Sequence, residues 1–242
     1  MRQPPDLSHA VPGPFEWIYI PEGKVVLHYA IRDDKGNMIK DYPMAVEPFY
    51  IAKYVITNEQ FAIYTQETRQ IPKISHLQNE DFNQPLQPIV DLNWREAMAF
   101  CEWITGKANH LITLPTISQW QRAAQGDDNR KYPWGNEWNP AFCNTMDSRL
   151  FRTTPVTQFP QGQSPYGVMD MAGNVCEWFL TDENTGLNSL EYKSLDASFA
   201  SSEIRLFSGS HYNTSMRGDV TRHGATPIGF AYCTGIRLVT SA

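Results

Sequence analysis

Three times between residues 57 and 119 the chain places a capping residue before an apolar face and follows it, three positions on, with Gln or Glu. The segments are Thr57-Asn58-Glu59-Gln60, Asn93-Trp94-Arg95-Glu96 and Thr116-Ile117-Ser118-Gln119. In such a box the cap side chain accepts from the third backbone N–H, and the Gln or Glu reaches back to the cap's own N–H. Helices are therefore expected to begin at all these points. Behind the first, Phe61 and Tyr64 share a face, and Ile56 and Phe61 can staple the entry. Behind the second, Ala97, Phe100, Cys101 and Ile104 follow the i, i+3, i+4, i+7 pattern, with Gly106 placed to end it. Behind the third stand Trp120, Ala123 and Ala124, with Gly126 as the stop.

Outside this helical middle the texture is that of strands and loops. Residues 15–20 and 24–31 alternate apolar and polar around Pro21-Glu22-Gly23, which predicts an early hairpin, and 49–56 reads as another strand. Beyond Gly126 the chain is punctuated by Pro133-Trp134-Gly135-Asn136, Asn139-Pro140 and Gly162-Gln163-Ser164-Pro165, a long irregular stretch whose backbone groups still need partners. Short strands are expected again at 175–180, 204–208 and 235–239. Residues 1–14, with Pro4, Pro5, Pro12, Gly13 and Pro14, suit an extended N-terminal arm, and 15–242 read as one α+β domain.

Composition narrows the function. Aromatics at 12% and charges at 19% describe a packed globular chain, and a net charge of -6 offers no global positive field for nucleic acid or an anionic membrane. No apolar run reaches membrane-spanning length, and the first residues lack the basic-then-apolar order of a secretory signal, so a cytoplasmic protein is expected. The four cysteines, Cys101, Cys143, Cys176 and Cys233, form no C-x-x-C pair and are expected as reduced, buried thiols. No Walker loop, Gly-x-Ser-x-Gly elbow or H-E-x-x-H occurs, and no two of the six histidines stand at metal-ligand spacing. Arg217-Gly218-Asp219 reads as a turn.

Several segments, in this order, carry a resemblance: residues 49–61, Pro88 to Ala97, Leu114-Pro115-Thr116 with Trp120, Tyr132-Pro133-Trp134-Gly135-Asn136, and Gly167-Val168-Met169-Asp170-Met171-Ala172-Gly173-Asn174-Val175-Cys176-Glu177-Trp178. They resemble the formylglycine-generating enzyme, or sulfatase-modifying factor, family over nearly the whole chain. The resemblance implies a C-type-lectin-like fold: a small twisted antiparallel sheet, two or three helices and extensive ordered loops. It also implies calcium, through the side chains of Asp170 and Glu177 and the backbone oxygens of Gly173 and Val175, and at a second loop beginning at Asn144 and Thr145, with Asp147 a candidate to complete it. Hard carboxylates with intervening carbonyls suit that ion; a plain tight turn at Gly173-Asn174 accounts for the same residues.

In that family two cysteines shortly after a Gly-Ser pair near the C-terminus bind copper(I), which soft thiolates select. Here Gly209-Ser210 is present, but Asn213 and Gly218 stand where those cysteines would be, so no copper is expected. Cys233 falls near the closing Gly235-Ile236-Arg237-Leu238 strand and reads as structural. An iron-dependent branch takes histidines from an added helical domain through an H-x-x-x-H-x-E pattern that this chain lacks. What remains is the loop 208–227, rich in Ser, Gly, His, Tyr, Asn and Arg, a composition common in protein-binding loops and also compatible with an ordinary ordered loop. The expectation is a non-catalytic module, a pseudoenzyme, that binds a protein partner through Tyr212, Asn213, Met216, Arg217, Arg222 and His223. Two alternatives stand beside it: a metal- and oxygen-dependent oxidoreductase with non-standard ligands, and a variable ligand-binding protein of a diversity-generating retroelement.

Overall fold

The computed structural model describes residues 3–27, 31–32, 38–39, 42–70, 75–128, 130–182, 188, 204–208, 210–214, 223–227 and 233–242. Its strands are β1 (Trp17–Ile20), β2 (Gly23–Leu27), β3 (Ile31–Arg32), β4 (Met38–Ile39), β5 (Tyr42–Val46), β6 (Phe49–Ala52), β7 (Cys176–Asp182), β8 (Ile204–Ser208), β9 (His223–Pro227), β10 (Thr234–Gly235) and β11 (Val239–Ser241). The helices are α1 (Asn58–Thr68), α2 (Trp94–Ala108) and α3 (Ile117–Gln125), and all three start in the expected capping boxes.

α3 stops at Gly126, whose φ of +69° suits a residue without Cβ. α2, by contrast, runs through the exposed Gly106 to Ala108 and ends on Asn109 at φ 48°. Asn tolerates the left-handed region through its short polar side chain, so it closes the helix one turn later than the glycine would.

The early hairpin does not form. β1 pairs antiparallel with β6, which pairs in turn with β11, whereas β2 pairs with β5. Between β1 and β2 the chain wraps the buried guanidinium of Arg122, which donates to the carbonyls of Pro21 and Glu22. A Cβ on Gly23 would lie 2.4 Å from that guanidinium. A long-range side chain thus occupies the place where a tight turn would close.

The second sheet has the order β10-β7-β8-β9. β10 joins β7 in parallel, an exception to the antiparallel expectation, while β7-β8 and β8-β9 are antiparallel. β7 shows how the layers are assembled. Trp178 and Leu180 belong to a core cluster with the buried faces of α1 and α2, and Phe179 between them belongs to a second cluster with α3. The two-residue period of a strand sends alternate side chains to opposite faces, so helices cover both. Indole N–H groups lock the strand in place: Trp94 Nε1 donates to the Phe179 carbonyl and Trp178 Nε1 to that of Leu92, each at 2.8 Å.

The N-terminal arm is packed. Leu7, Ala10 and Val11 are buried in the α1/α2 cluster, and Gln60 Nε2 donates to the carbonyls of Pro12 and Pro14. Among the described residues no helix is long and apolar enough to cross a membrane.

Candidate functional site

The segment 170–175, just before β7, turns tightly because three of its residues take positive φ: Asp170 at 54°, Gly173 at 90° and Asn174 at 67°. Gly173 is required there, since a Cβ would meet the Asn144 carbonyl oxygen at 2.5 Å. Asn174, fully buried, is the hub. Its N–H donates to Asn144 O at 2.7 Å, its Nδ2 to Thr154 O at 3.0 Å and Asp170 Oδ2 at 2.9 Å, and its Oδ1 accepts from Thr154 N at 2.9 Å. Its carbonyl accepts from Tyr212 N at 3.2 Å, and two residues on Cys176 N donates to Cys233 O at 3.0 Å. The turn therefore fixes the chain at Tyr212, within the loop 208–227, and at Cys233, beyond β9.

Both carboxyl calcium candidates flank this turn, Asp170 at its start and Glu177 at the opening of β7, and they have different partners. Glu177 is wholly buried. Arg237 donates to it twice, Nε to Oε2 at 2.8 Å and Nη2 to Oε1 at 2.7 Å, and Trp120 Nε1 donates to Oε2 at 2.8 Å. The remaining Arg237 protons go to the carbonyls of Ala52, Lys53 and Met169. Asp170 accepts from Asn174, and burial pushes its carboxyl up to about 7. Gly173 O accepts from Val175 N, and Asn144 and Thr145 are buried, with Asn144 Nδ2 donating to Arg152 O and Asn174 Oδ1. The expected four-ligand shell does not fit: Glu177 already has its cation in Arg237, and Asn144, expected at a separate second site, is bonded directly into the first. No group of three or more His, Cys, Asp or Glu suited to a metal occurs among the described residues.

On the loop itself, Tyr212 is 2% exposed and packs on Phe82 with ring centroids 5.3 Å apart, in a cluster that includes Cys233. Its ring faces the interior rather than a partner. Asn213 is exposed, and its N–H meets His211 Nδ1 at 3.3 Å, which leaves the proton of a neutral ring on Nε2. Burial lowers the His211 pKa, favouring that neutral form. Met216, Arg217, Gly218 and Arg222 lie outside the described residues; His223 is described only through its backbone, which opens β9 opposite Ser208.

Beneath the loop lies an arrangement that sequence spacing did not reveal. Asp91, at φ 61°, accepts from Cys233 N through Oδ1 at 2.9 Å, and its Oδ2 contacts His76 Nδ1. The His76 ring rests on Phe82 at 4.5 Å. Cys233 is itself at φ 58°, so two non-glycine residues in a costly backbone region are joined by one bond across the fold. None of the four cysteines is in a disulfide and all are buried, and burial pushes the Cys143 thiol up to about 12 and those of Cys101 and Cys176 well above the ordinary thiol range.

The chain is similar in sequence and in fold to known proteins. The chain is 28% identical over 173 residues to inactive C-alpha-formylglycine-generating enzyme 2 of Bos taurus, a match covering 64% of this chain and 50% of that protein. It is 37% identical over 111 residues to the formylglycine-generating enzyme of Thermomonospora curvata, covering 40% and 34%. The chain thus spans half or less of the length of these relatives. The crystal structure of CarF superposes with a TM-score of 0.71 at 18% identity, covering 95% of this chain and 99% of that one, which establishes a shared fold. The fold is the small α+β, C-type-lectin-like one the motifs implied. The family model for the sulfatase-modifying factor enzyme 1-like domain matches residues 8–242, from the packed arm to the last residue, and the chain belongs to that family.

Proposed function

We propose that this chain is a non-catalytic recognition module that holds a protein partner through the loop 208–227. The observation that carries the reading is at position 213. Where the resemblance expects a metal-binding thiolate, an exposed Asn stands on the loop, while the four thiols of the chain are buried and those of Cys101, Cys143 and Cys176 are held in the protonated form. A copper(I) site needs deprotonated sulfur within reach of the substrate. The reading is supported by the loop's anchorage, since Tyr212 N donates to Asn174 O and Ser208 pairs with His223 across β8 and β9, and by its small polar and cationic composition.

Within this reading Asn213, Met216, Arg217, Arg222 and His223 supply the contacts, and Tyr212 anchors the loop from below. Thiols outside disulfides suit a reducing, cytoplasmic compartment. The test has two arms. A photo-crosslinker at position 213 should give one reproducible adduct, and the purified partner should then bind wild type and lose binding to Asn213→Arg with Arg217→Glu. Near-stoichiometric copper or iron in purified protein, together with oxygen consumption on a cysteine-containing peptide, would instead establish an oxidoreductase and overturn the proposal.

A further inference from the structure

Residues 76–91 connect α1 with the C-terminal part of the chain, and they are fastened differently on the two sides. Towards α1 the main chain is bonded repeatedly: Asn58 Nδ2 donates to the carbonyls of Phe82 and Gln84 at 2.8 and 3.0 Å, and the N–H groups of Asn58 and Glu59 donate to Gln87 O and Pro85 O. Gln87 Nε2 adds bonds to Asp81 O and Thr153 O. Towards the C-terminal part the same residues present side chains instead, the Phe82 ring to Tyr212 and the Asp91 carboxylate to Cys233 N.

These contacts close a ring. Asp91 Oδ1 accepts from Cys233 N, Asp91 Oδ2 contacts His76 Nδ1, the His76 ring lies on Phe82, and Phe82 packs with Tyr212 and Cys233 in one buried cluster. Strain is concentrated on the same ring, with Asp91 at φ 61° and Cys233 at φ 58° both in the left-handed region. Asp enters that region more readily than Cys, whose Cβ opposes it. A strained residue persists where its surroundings over-determine it, and at Cys233 the Asp91 carboxylate is one such restraint.

We propose that residues 76–91 are a clasp and that Asp91 is its catch. When the catch releases, Cys233 and Tyr212 leave their seats together, while the clasp stays bonded to α1 and the three helices stay folded. Such a local opening relieves the backbone strain at Cys233 and breaks the Tyr212 N to Asn174 O and Cys176 N to Cys233 O bonds. This goes beyond the partner-binding reading: the closed clasp holds Tyr212 in one geometry, and so sets how much ordering a ligand of the loop must supply.

Cys233 reports the opening, because its side chain is wholly buried while the clasp is closed, and Cys101, in the α1/α2 core cluster, reports global unfolding. The full chain is treated with N-ethylmaleimide across a range of urea below the unfolding transition, and the labelling of each cysteine is followed by peptide mass spectrometry. A local opening exposes little surface, so Cys233 should label faster than Cys101 and with a rate nearly flat in urea, whereas the Cys101 rate should climb steeply. Asp91→Ala removes a hydrogen bond to a charged group and should speed Cys233 labelling about tenfold or more. Asp91→Asn keeps an acceptor and tolerates positive φ, so it should stay close to wild type. Hydrogen exchange at the Tyr212 amide should quicken together with Cys233 labelling in Asp91→Ala. Equal rates and equal urea slopes at Cys233 and Cys101 would leave global unfolding as the route and overturn the proposal. It would also be overturned by Asp91→Asn as fast as Asp91→Ala, by Cys233 labelling that ignores Asp91→Ala, or by a Tyr212 amide that does not respond. If Asp91→Ala does not fold, His76→Ala, which removes the contact on the other carboxylate oxygen, carries the same expectation and the same refutation. No readout here involves a partner, so failure of the clasp leaves the recognition reading standing.

Discussion

Replacing Arg237 by Met tests the internal cation most directly. In the native protein Arg237 and Glu177 are both wholly buried, and Arg237 also serves the carbonyls of Ala52, Lys53 and Met169. Methionine fills much of the volume but strands a carboxylate whose remaining donor is the Trp120 indole. Removing one partner of a buried pair costs about 3–5 kcal/mol, because the other charge is left desolvated and uncompensated. For a domain of this size each kcal/mol moves the melting temperature by about 2–4 °C, so a fall of about 6–20 °C is expected. Urea unfolding followed by both circular dichroism and tryptophan fluorescence should show the midpoint moving with the slope unchanged. Adding Glu177→Met should recover part of the loss by removing the stranded charge, giving a coupling of about 1–3 kcal/mol in the double-mutant cycle. A loss below about 1 kcal/mol would show that the pair behaves like a solvated surface bridge, and the reasoning would fail.

The same turn predicts a pH dependence. The carboxyl of Asp170, buried and raised to about 7 from 3.8, binds its proton more tightly in the folded than in the unfolded state. Stability should therefore be fullest below about pH 4, fall as pH rises towards 7 and level off above, by up to about 4 kcal/mol for this group alone. Asp170→Asn should flatten that slope and be the more stable protein at pH 8; an unchanged pH profile by calorimetry would refute the assignment. Tyr212→Ala should cost about 3–5 kcal/mol, as removal of a buried aromatic does, whereas Asn213→Ala, at an exposed position, should stay within about 0.5 kcal/mol by chemical denaturation. Millimolar calcium should leave the wild-type melting temperature unchanged, since Glu177 is held by Arg237; a rise of several degrees would show that the ion displaces the guanidinium.

Local chemistry made the helices legible. A capping box is a matter of four consecutive residues, so Thr57, Asn93 and Thr116 announced α1, α2 and α3, and the apolar period behind each named the buried face. The strand at 204–208 was readable for the same reason, from composition within a few residues, and so was the one expected over 49–56, which ends already at Ala52. Partner choice was not. The alternation around Pro21-Glu22-Gly23 is genuine strand pattern, yet β1 and β2 pair with β6 and β5, and the connection between them wraps Arg122, about a hundred residues away.

The site divides along the same line. The sequence alone determined that a specialised turn at Gly173-Asn174 stands between Asp170 and Glu177 and that a loop without the expected thiols follows, because glycine placement and residue identity are local properties. The tertiary structure decided how those residues are spent. It gave Glu177 to Arg237, turned the Tyr212 ring onto Phe82, and set Asp91 between His76 and the Cys233 amide. Each of these joins residues far apart in the chain through burial and geometry, and the energy of a buried charge or ring depends on what surrounds it in space.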